Sequence, residues 1–287
     1  MLLEVSYMTT EEYMLEWLNL RRLSLKPRTI EMYADLIDRY IVPALGGISC
    51  AELAPTDIAS MLARIYDTGH TRTAELVYIT CKAALTDLPQ NPMRRIPRPK
   101  HKQTSPKPWD DATIRSYSAA IKGHKHELAL SLALFAGLRR GEICGLRWES
   151  IDQTAGTISI TTQRTPTSHG VIECSPKSES SIRVIPIPSR LRPLIAAQAL
   201  RSGLVCPISP SGLDQAHRRI CAAHSIPYIP LHGLRHTMAT ACVRHGANMR
   251  CLQSLLGHSS YATTARIYTQ PDMPMLNCAI DIFTTAC

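Results

Sequence analysis

A chain of 287 residues, 45% hydrophobic and carrying a formal net charge of +9, is long enough to bury two separate cores, and its charge calls for a polyanionic partner. No run approaches the ~20 uninterrupted apolar residues of a membrane-spanning helix, and the start, MLLEVSYMTTEEY, has neither a basic head nor a small-residue cleavage site, so membrane insertion and export are not expected. Ten cysteines without CxxC or Cys/His zinc spacing suit buried thiols in a reducing, cytoplasmic compartment, with the terminal Cys287 expected to be exposed.

The first segment reads as a small helical bundle. Thr9 and Glu12 have capping-box spacing ahead of Tyr13, Leu15, Trp17 and Leu18, which predicts a helix starting there. Lys26-Pro27-Arg28-Thr29 opens a second helix with Tyr33, Leu36, Ile37 and Tyr40 on one face, expected to stop at Pro43 and Gly46-Gly47. A third starts at Pro55-Thr56-Asp57 and carries Ile58, Met61, Leu62 and Ile65, and Thr73 to Leu85 gives a fourth. Residues 91–109, NPMRRIPRPKHKQTSPKPW, hold five prolines and are expected to form a basic interdomain linker that follows a phosphate backbone.

The second domain, 110–287, opens with helical patterns over Asp111–Ile121 and Glu127–Phe135. Between Thr157 and Ile187 the texture becomes β-rich, with Ile158, Ile160 and Thr162, then Val171 and Ile172, then Ile182, Val184 and Ile187, which predicts a small sheet. Helical patterns resume at Leu191–Leu200, Leu213–Ala223, Leu234–His245 and Met249–Leu256. The expected fold is mainly α with a small β-sheet in the C-terminal domain (α+β). Its division is a helical domain at 1–90, the linker at 91–109 and a larger domain at 110–287.

Charge is unevenly spread. Residues 1–93 hold 8 Lys/Arg against 12 Asp/Glu, residues 94–107 hold 6 basic and no acidic side chains, and residues 108–287 hold 18 against 11. The basic character lies in the linker and the C-terminal part, although Arg21, Arg22, Lys26 and Arg28 can form a basic face in the first.

Two arginines, two histidines, a lysine and a phenol in the second domain suit attack on a phosphodiester. Arg139 and Arg235 match the non-bridging oxygens of a phosphate and stay charged at physiological pH, ready for the charge that grows in a phosphorane-like state. Glu142, three residues after Arg139 and so on the same helical face, can hold that arginine. The phenol of Tyr268, with an ordinary pKa near ~10, needs cations and a base to attack. His232 is the candidate base, His258 a candidate donor to the phosphate, and Lys177 the candidate acid for the departing 5′-oxygen. His236 reads as a structural histidine.

The ordered blocks ALFAGLRRGEICGLRWESID, PKSESSIRVIPIP, LHGLRHTMAT and LLGHSSYATTARIYTQ resemble the tyrosine recombinase (phage integrase) family in sequence and approximate spacing, and the pattern is nearest to the integrases of conjugative transposons and prophages. LKPRTIEMYADLIDRYIVPALGG is similar to the family's helical core-binding domain. The resemblance implies that Arg139, Lys177, His232, Arg235, His258 and Tyr268 fill the six catalytic positions, with Glu142 in a supporting acidic position. It implies a metal-independent, cofactor-free DNA recombinase working through a 3′-phosphotyrosyl intermediate to integrate and excise a mobile element, two domains closing on double-stranded DNA as a C-shaped clamp. The partners it implies are recombination sites on two duplexes, a homo-tetramer assembled on them, and accessory DNA-bending or excision factors; the protein would be nucleoid-associated when bound.

The apolar tail with Met275, Leu276, Ile280, Ile282 and Phe283 can dock on a neighbouring protomer or on its own domain. Many relatives carry a further N-terminal arm-binding domain, and about eight residues precede the first predicted helix, so this member lacks that domain or the sequence is a piece of a longer chain. Three other readings compete. A type IB topoisomerase-like enzyme reseals the same strand, and a silent DNA-binding regulator forms no covalent adduct. A metallohydrolase would use His232 and His236 at i and i+4, but Gly233 stands where HExxH needs glutamate, and Arg235 would put a cation beside the metal.

Overall fold

The computed structural model describes residues 7–101, 106–168, 170–175, 181–198 and 202–257. The chain divides into two compact units, Met1–Thr104 and Ser105–Cys287.

In the first unit, α1 (Thr10–Arg21) begins at the expected capping box: the Glu12 carboxylate accepts from the Thr9 backbone N–H at 2.9 Å, and the Glu12 N–H donates to the Thr9 hydroxyl at 3.3 Å. Met14, Trp17 and Leu18 turn inward, whereas Leu15 faces solvent. Helix α2 (Pro27–Leu36) begins a helical run that continues past Pro43 and ends at Gly46, the first of the two glycines expected to stop it. It passes through a π-turn, Ile37–Ile41, into the short α3 (Val42–Leu45). The Val42 N–H reaches back five residues to the Ile37 carbonyl, and this wider turn accommodates a proline that has no N–H of its own to donate. Helices α4 (Pro55–Asp67) and α5 (Thr71–Leu85) complete the bundle, with Ile58, Met61, Leu62, Ile65, Val77, Cys81 and Leu85 in its core.

The proline-rich segment is not a free spacer in its first half. Met93 and Ile96 are buried in the same core, two nitrogens of Arg98 donate to Glu75 of α5 at 2.7 and 3.1 Å, and His101 pairs with Thr71 at 2.9 Å. Two well-placed apolar side chains and one ion pair outweigh the proline content here.

The second unit starts from Trp109, whose backbone N–H donates to the Thr237 hydroxyl and whose indole N–H donates to the Pro227 carbonyl at 2.8 Å. Asp110 caps α6 (Asp111–Ile121). Helix α7 (Glu127–Phe135) is apolar on nearly every side and lies at the centre of the core. After the short α8 (Arg140–Gly145), the β-rich stretch forms two sheets where one was expected. Strands β1 (Ile151–Asp152), β2 (Thr157–Ile160) and β5 (Arg183–Pro186) make an antiparallel sheet in the order β1-β2-β5, while among the described residues β3 (Gln163–Thr167) and β4 (Gly170–Cys174) pair only with each other.

In the register of β2 with β5, Ile158 faces Ile185 and Ile160 faces Arg183. Helices α9 (Arg192–Ala196), α10 (Pro210–Ala223), α11 (Leu231–Arg244) and α12 (Met249–Leu256) follow. His217 of α10 is a core histidine: it accepts from the Tyr117 hydroxyl at 2.7 Å and donates to the Ile229 carbonyl at 2.8 Å. Among the described residues no helix is long and apolar enough to cross a membrane, and most cysteines are buried thiols, Cys251 being exposed.

Candidate active site

The site gathers around the last turn of α12. That helix ends at Gly257 in the left-handed conformation, φ 62°, which a glycine adopts without steric cost. The final carbonyls of a helix have no partner inside it and carry its negative dipole end. Here three consecutive carbonyls each receive an arginine from a different part of the unit. The Leu255 carbonyl accepts from Arg183 Nε at 2.7 Å, the Leu256 carbonyl from Arg235 Nη2, and the Gly257 carbonyl from Arg139 Nη2 at 3.0 Å.

Arg235 lies in the second turn of α11 and is only 2% exposed. Its Nη1 donates to the Gly137 carbonyl at 2.6 Å. Gly137 has φ 62°, and a Cβ there would meet Met238 at 2.9 Å and Leu256 at 3.0 Å, so the backbone can approach α11 and α12 this closely only without a side chain. A guanidinium has five N–H groups, and two carbonyls fix its plane while others can meet a ligand. Burial and the nearby Arg139 charge push its pKa down to about 9, which leaves it cationic at neutral pH.

Arg139 and Glu142 are joined differently from the expected helical pair. Arg139 is the N-cap of α8 and stands outside the helix, and Glu142 is its third residue. The carboxylate accepts from the Arg139 backbone N–H at 2.8 Å and from Arg139 Nη1 at 2.6 Å. Glu142 is 2% exposed; burial alone would raise its pKa, but hydrogen bonds and charge from Arg183 and Arg139 outweigh that and hold it below the ordinary value. The Arg139 side chain is 30% exposed and so more open than the buried Arg235.

His232, one turn before Arg235 on α11, is exposed at the surface. Surrounding protein lowers its pKa, and the charges of Arg235 and Arg139 push the same way, so the ring is neutral at pH 7 and able to take a proton. His236 is half-buried, with its pKa lowered by burial. Among the described residues no group of three His, Cys, Asp or Glu side chains could hold a metal ion.

Four of the expected residues, Arg139, Glu142, His232 and Arg235, are therefore brought together. Lys177, His258, Tyr268 and the apolar tail lie outside the described residues. One participant was not singled out from the sequence: Arg183, whose Nη1 and Nη2 donate to the two Glu142 oxygens at 3.0 and 2.9 Å. Its signal was the period of two in β5. Arg183 and Ile185 point inward, whereas Ile182 and Val184, counted by hydrophobicity, are 53% and 63% exposed.

Comparison with known proteins places these features in context. Residues 111–274 match the phage integrase family, and residues 11–86 match the phage integrase central domain. A curated relative, the tyrosine recombinase XerC-like protein of Caldanaerobacter subterraneus subsp. tengcongensis, is 28% identical over 221 residues, 66% of this chain and 55% of that protein, so the chain spans about half of its length. The fold is similar to that of the Tn1549 transposon integrase in complex with circular intermediate DNA, with a TM-score of 0.80 at 21% identity, covering 96% of this chain and 100% of that one. It is also similar to the lambda integrase in a tetramer bound to a Holliday junction, with a TM-score of 0.70 at 18% identity, covering 91% and 77%.

Proposed function

Since this chain belongs to the phage integrase family, we propose that it is a tyrosine site-specific recombinase that cleaves and rejoins DNA through a 3′-phosphotyrosyl intermediate, serving integration and excision of a mobile element. The observation that carries this reading is the pair of arginines converging on the end of α12, with the neutral His232 in the field of both and the buried Glu142 holding one arginine in place.

In the proposed reaction Arg139 and Arg235 grip the non-bridging oxygens of the scissile phosphate and meet the charge that builds in the transition state. The Tyr268 oxygen forms the new bond to phosphorus, its proton passing to His232, and the bond to the 5′-oxygen breaks. That oxygen takes a proton from Lys177, and His258 donates a hydrogen bond to the phosphate. The phosphodiester energy is retained in the phosphotyrosine, so a 5′-hydroxyl from a partner duplex can reverse the step and exchange strands without a metal or nucleotide. Four protomers on two recombination sites perform two such exchanges, with the tail docking between neighbours and accessory DNA-bending or excision factors setting direction.

A plasmid carrying two copies of a site selected for binding from a random-sequence duplex pool tests the function. The expected product is deletion or inversion between the copies, unaffected by chelators. Relaxed topoisomers without exchange would favour the topoisomerase reading instead. Deleting residues 272–287 should abolish tetramer assembly on DNA while leaving the affinity of a single protomer for a half-site unchanged, and unaltered assembly would sink the intermolecular role of the tail.

A further inference from the structure

The buried ion pair between Arg183 and Glu142 has side chains 5% and 1% exposed. Taking two charges out of water is costly, and an apolar pair of the same volume often serves stability as well or better. A pair kept at that cost invites a role besides packing. Glu142 accepts four N–H groups, two from Arg139 and two from Arg183, and Arg183 donates in addition to the Leu255 and Ser181 carbonyls. One guanidinium thus ties together β5, the first turn of α8 and the last turn of α12.

Charge gives the consequence. Arg139, Arg183 and Arg235 against the single carboxylate of Glu142 leave two unmatched positive charges at the end of α12. Without Arg183, Glu142 would draw its whole countercharge from Arg139, pulling that side chain inward and cancelling half of the field that an incoming phosphate meets. Arg183 also lies six residues after Lys177 in sequence, and its carbonyl partner Leu255 lies three before His258.

We propose that Arg183 is a positioning residue for the phosphate clamp: it neutralises Glu142 from the inner side, so that Arg139 is oriented by Glu142 without being consumed by it. The proposal rests on the clamp reading given above and adds to it a residue that need not touch DNA.

The experiment measures single-turnover formation of the covalent adduct at saturating DNA, together with DNA affinity and melting temperature, for the full chain as wild type, Arg183→Lys and Arg183→Gln, the last of which removes the countercharge to Glu142. Each protein is assayed on a selected site with an ordinary scissile phosphate and on one with a methylphosphonate there, in which a neutral methyl replaces a charged oxygen. Arg183→Lys keeps the charge but loses the two-pronged grip on Glu142.

The expected result is affinity little changed and adduct formation on the phosphate slowed by at least about tenfold, as for other groups that orient a ligand-binding side chain. The deficit should be several-fold smaller on the methylphosphonate, which asks less of the clamp. A variant that merely destabilises the fold would lose the same factor on both substrates, and that outcome, or wild-type rates on the phosphate, overturns the proposal. Should one of the two variants fail to fold, the other gives the same two-substrate comparison. If the wild type forms no adduct on either substrate, the recombinase reading itself fails; an adduct in the wild type with no substrate-dependent deficit removes only Arg183.

Discussion

At the scale of single residues, the clamp assignment makes separable claims about binding and chemistry. Arg139→Ala and Arg235→Ala should each retain DNA binding while raising the cleavage barrier by about 3 to 4 kcal/mol, the range found when a preorganised oxyanion donor is lost. Weaker binding with a normal rate at saturation would contradict the assignment. His232 must be neutral to accept the phenolic proton, and its pKa lies below the ordinary histidine value because of its protein surroundings and the two arginines. The second-order cleavage rate, which reports the free enzyme, is therefore expected to be complete above ~6.5 and to fall only as pH drops through the depressed pKa. A rate that begins to fall well above that pH in the wild type would remove His232 from the base role. Arg139, Glu142, His232 and Arg235 were legible in the sequence because each stands in a short block of chemically matched neighbours. Arg183 was not, because an arginine on the inner face of a strand breaks the usual burial rule and makes sense only once Glu142 is seen 41 residues away in sequence.

Secondary-structure elements were legible where local chemistry decides them. The capping box of α1, the prolines that open α2 and α4, and the apolar runs of α7 and α12 are set by residues within a turn or two of each other. Two features depended on more distant partners. The helix runs past Pro43 because a π-turn absorbs it, and the β-rich stretch divides because β2 pairs with β5 while β3 and β4 pair with each other. The element of most consequence is the end of α12, where Gly257 sets the direction of three carbonyls. Gly257→Ala forces a Cβ into the left-handed region and should lower stability by roughly 1 to 2 kcal/mol, read as a lower melting temperature. Cleavage should fall with it, since Arg139 is held by the carbonyl of that residue. An unchanged melting temperature would show that this turn does not hold the site.

For the whole molecule, two helical and mixed units follow from length and from the change in texture along the chain, but the boundary between them was less legible. Proline and charge content suggested that the linker starts at 91, whereas Met93, Ile96 and the Arg98–Glu75 pair attach its first half to the first unit. A fragment of residues 1–101 should therefore be more stable than one of residues 1–90, by about 1.5 to 3 kcal/mol for each large apolar side chain regained. Equal melting temperatures would mean that the strap contributes nothing. The proposed covalent chemistry turns on Tyr268, which lies outside the described residues. The direct measurement is covalent trapping: wild type and Tyr268→Phe are incubated with nicked duplexes of a selected binding site and resolved on a denaturing gel. If Tyr268 is the nucleophile, the wild type gives a protein–DNA band linked through the 3′-phosphate and the Phe variant gives none while still binding DNA. Tight binding by the wild type without any adduct, or an adduct that survives in Tyr268→Phe, would contradict it.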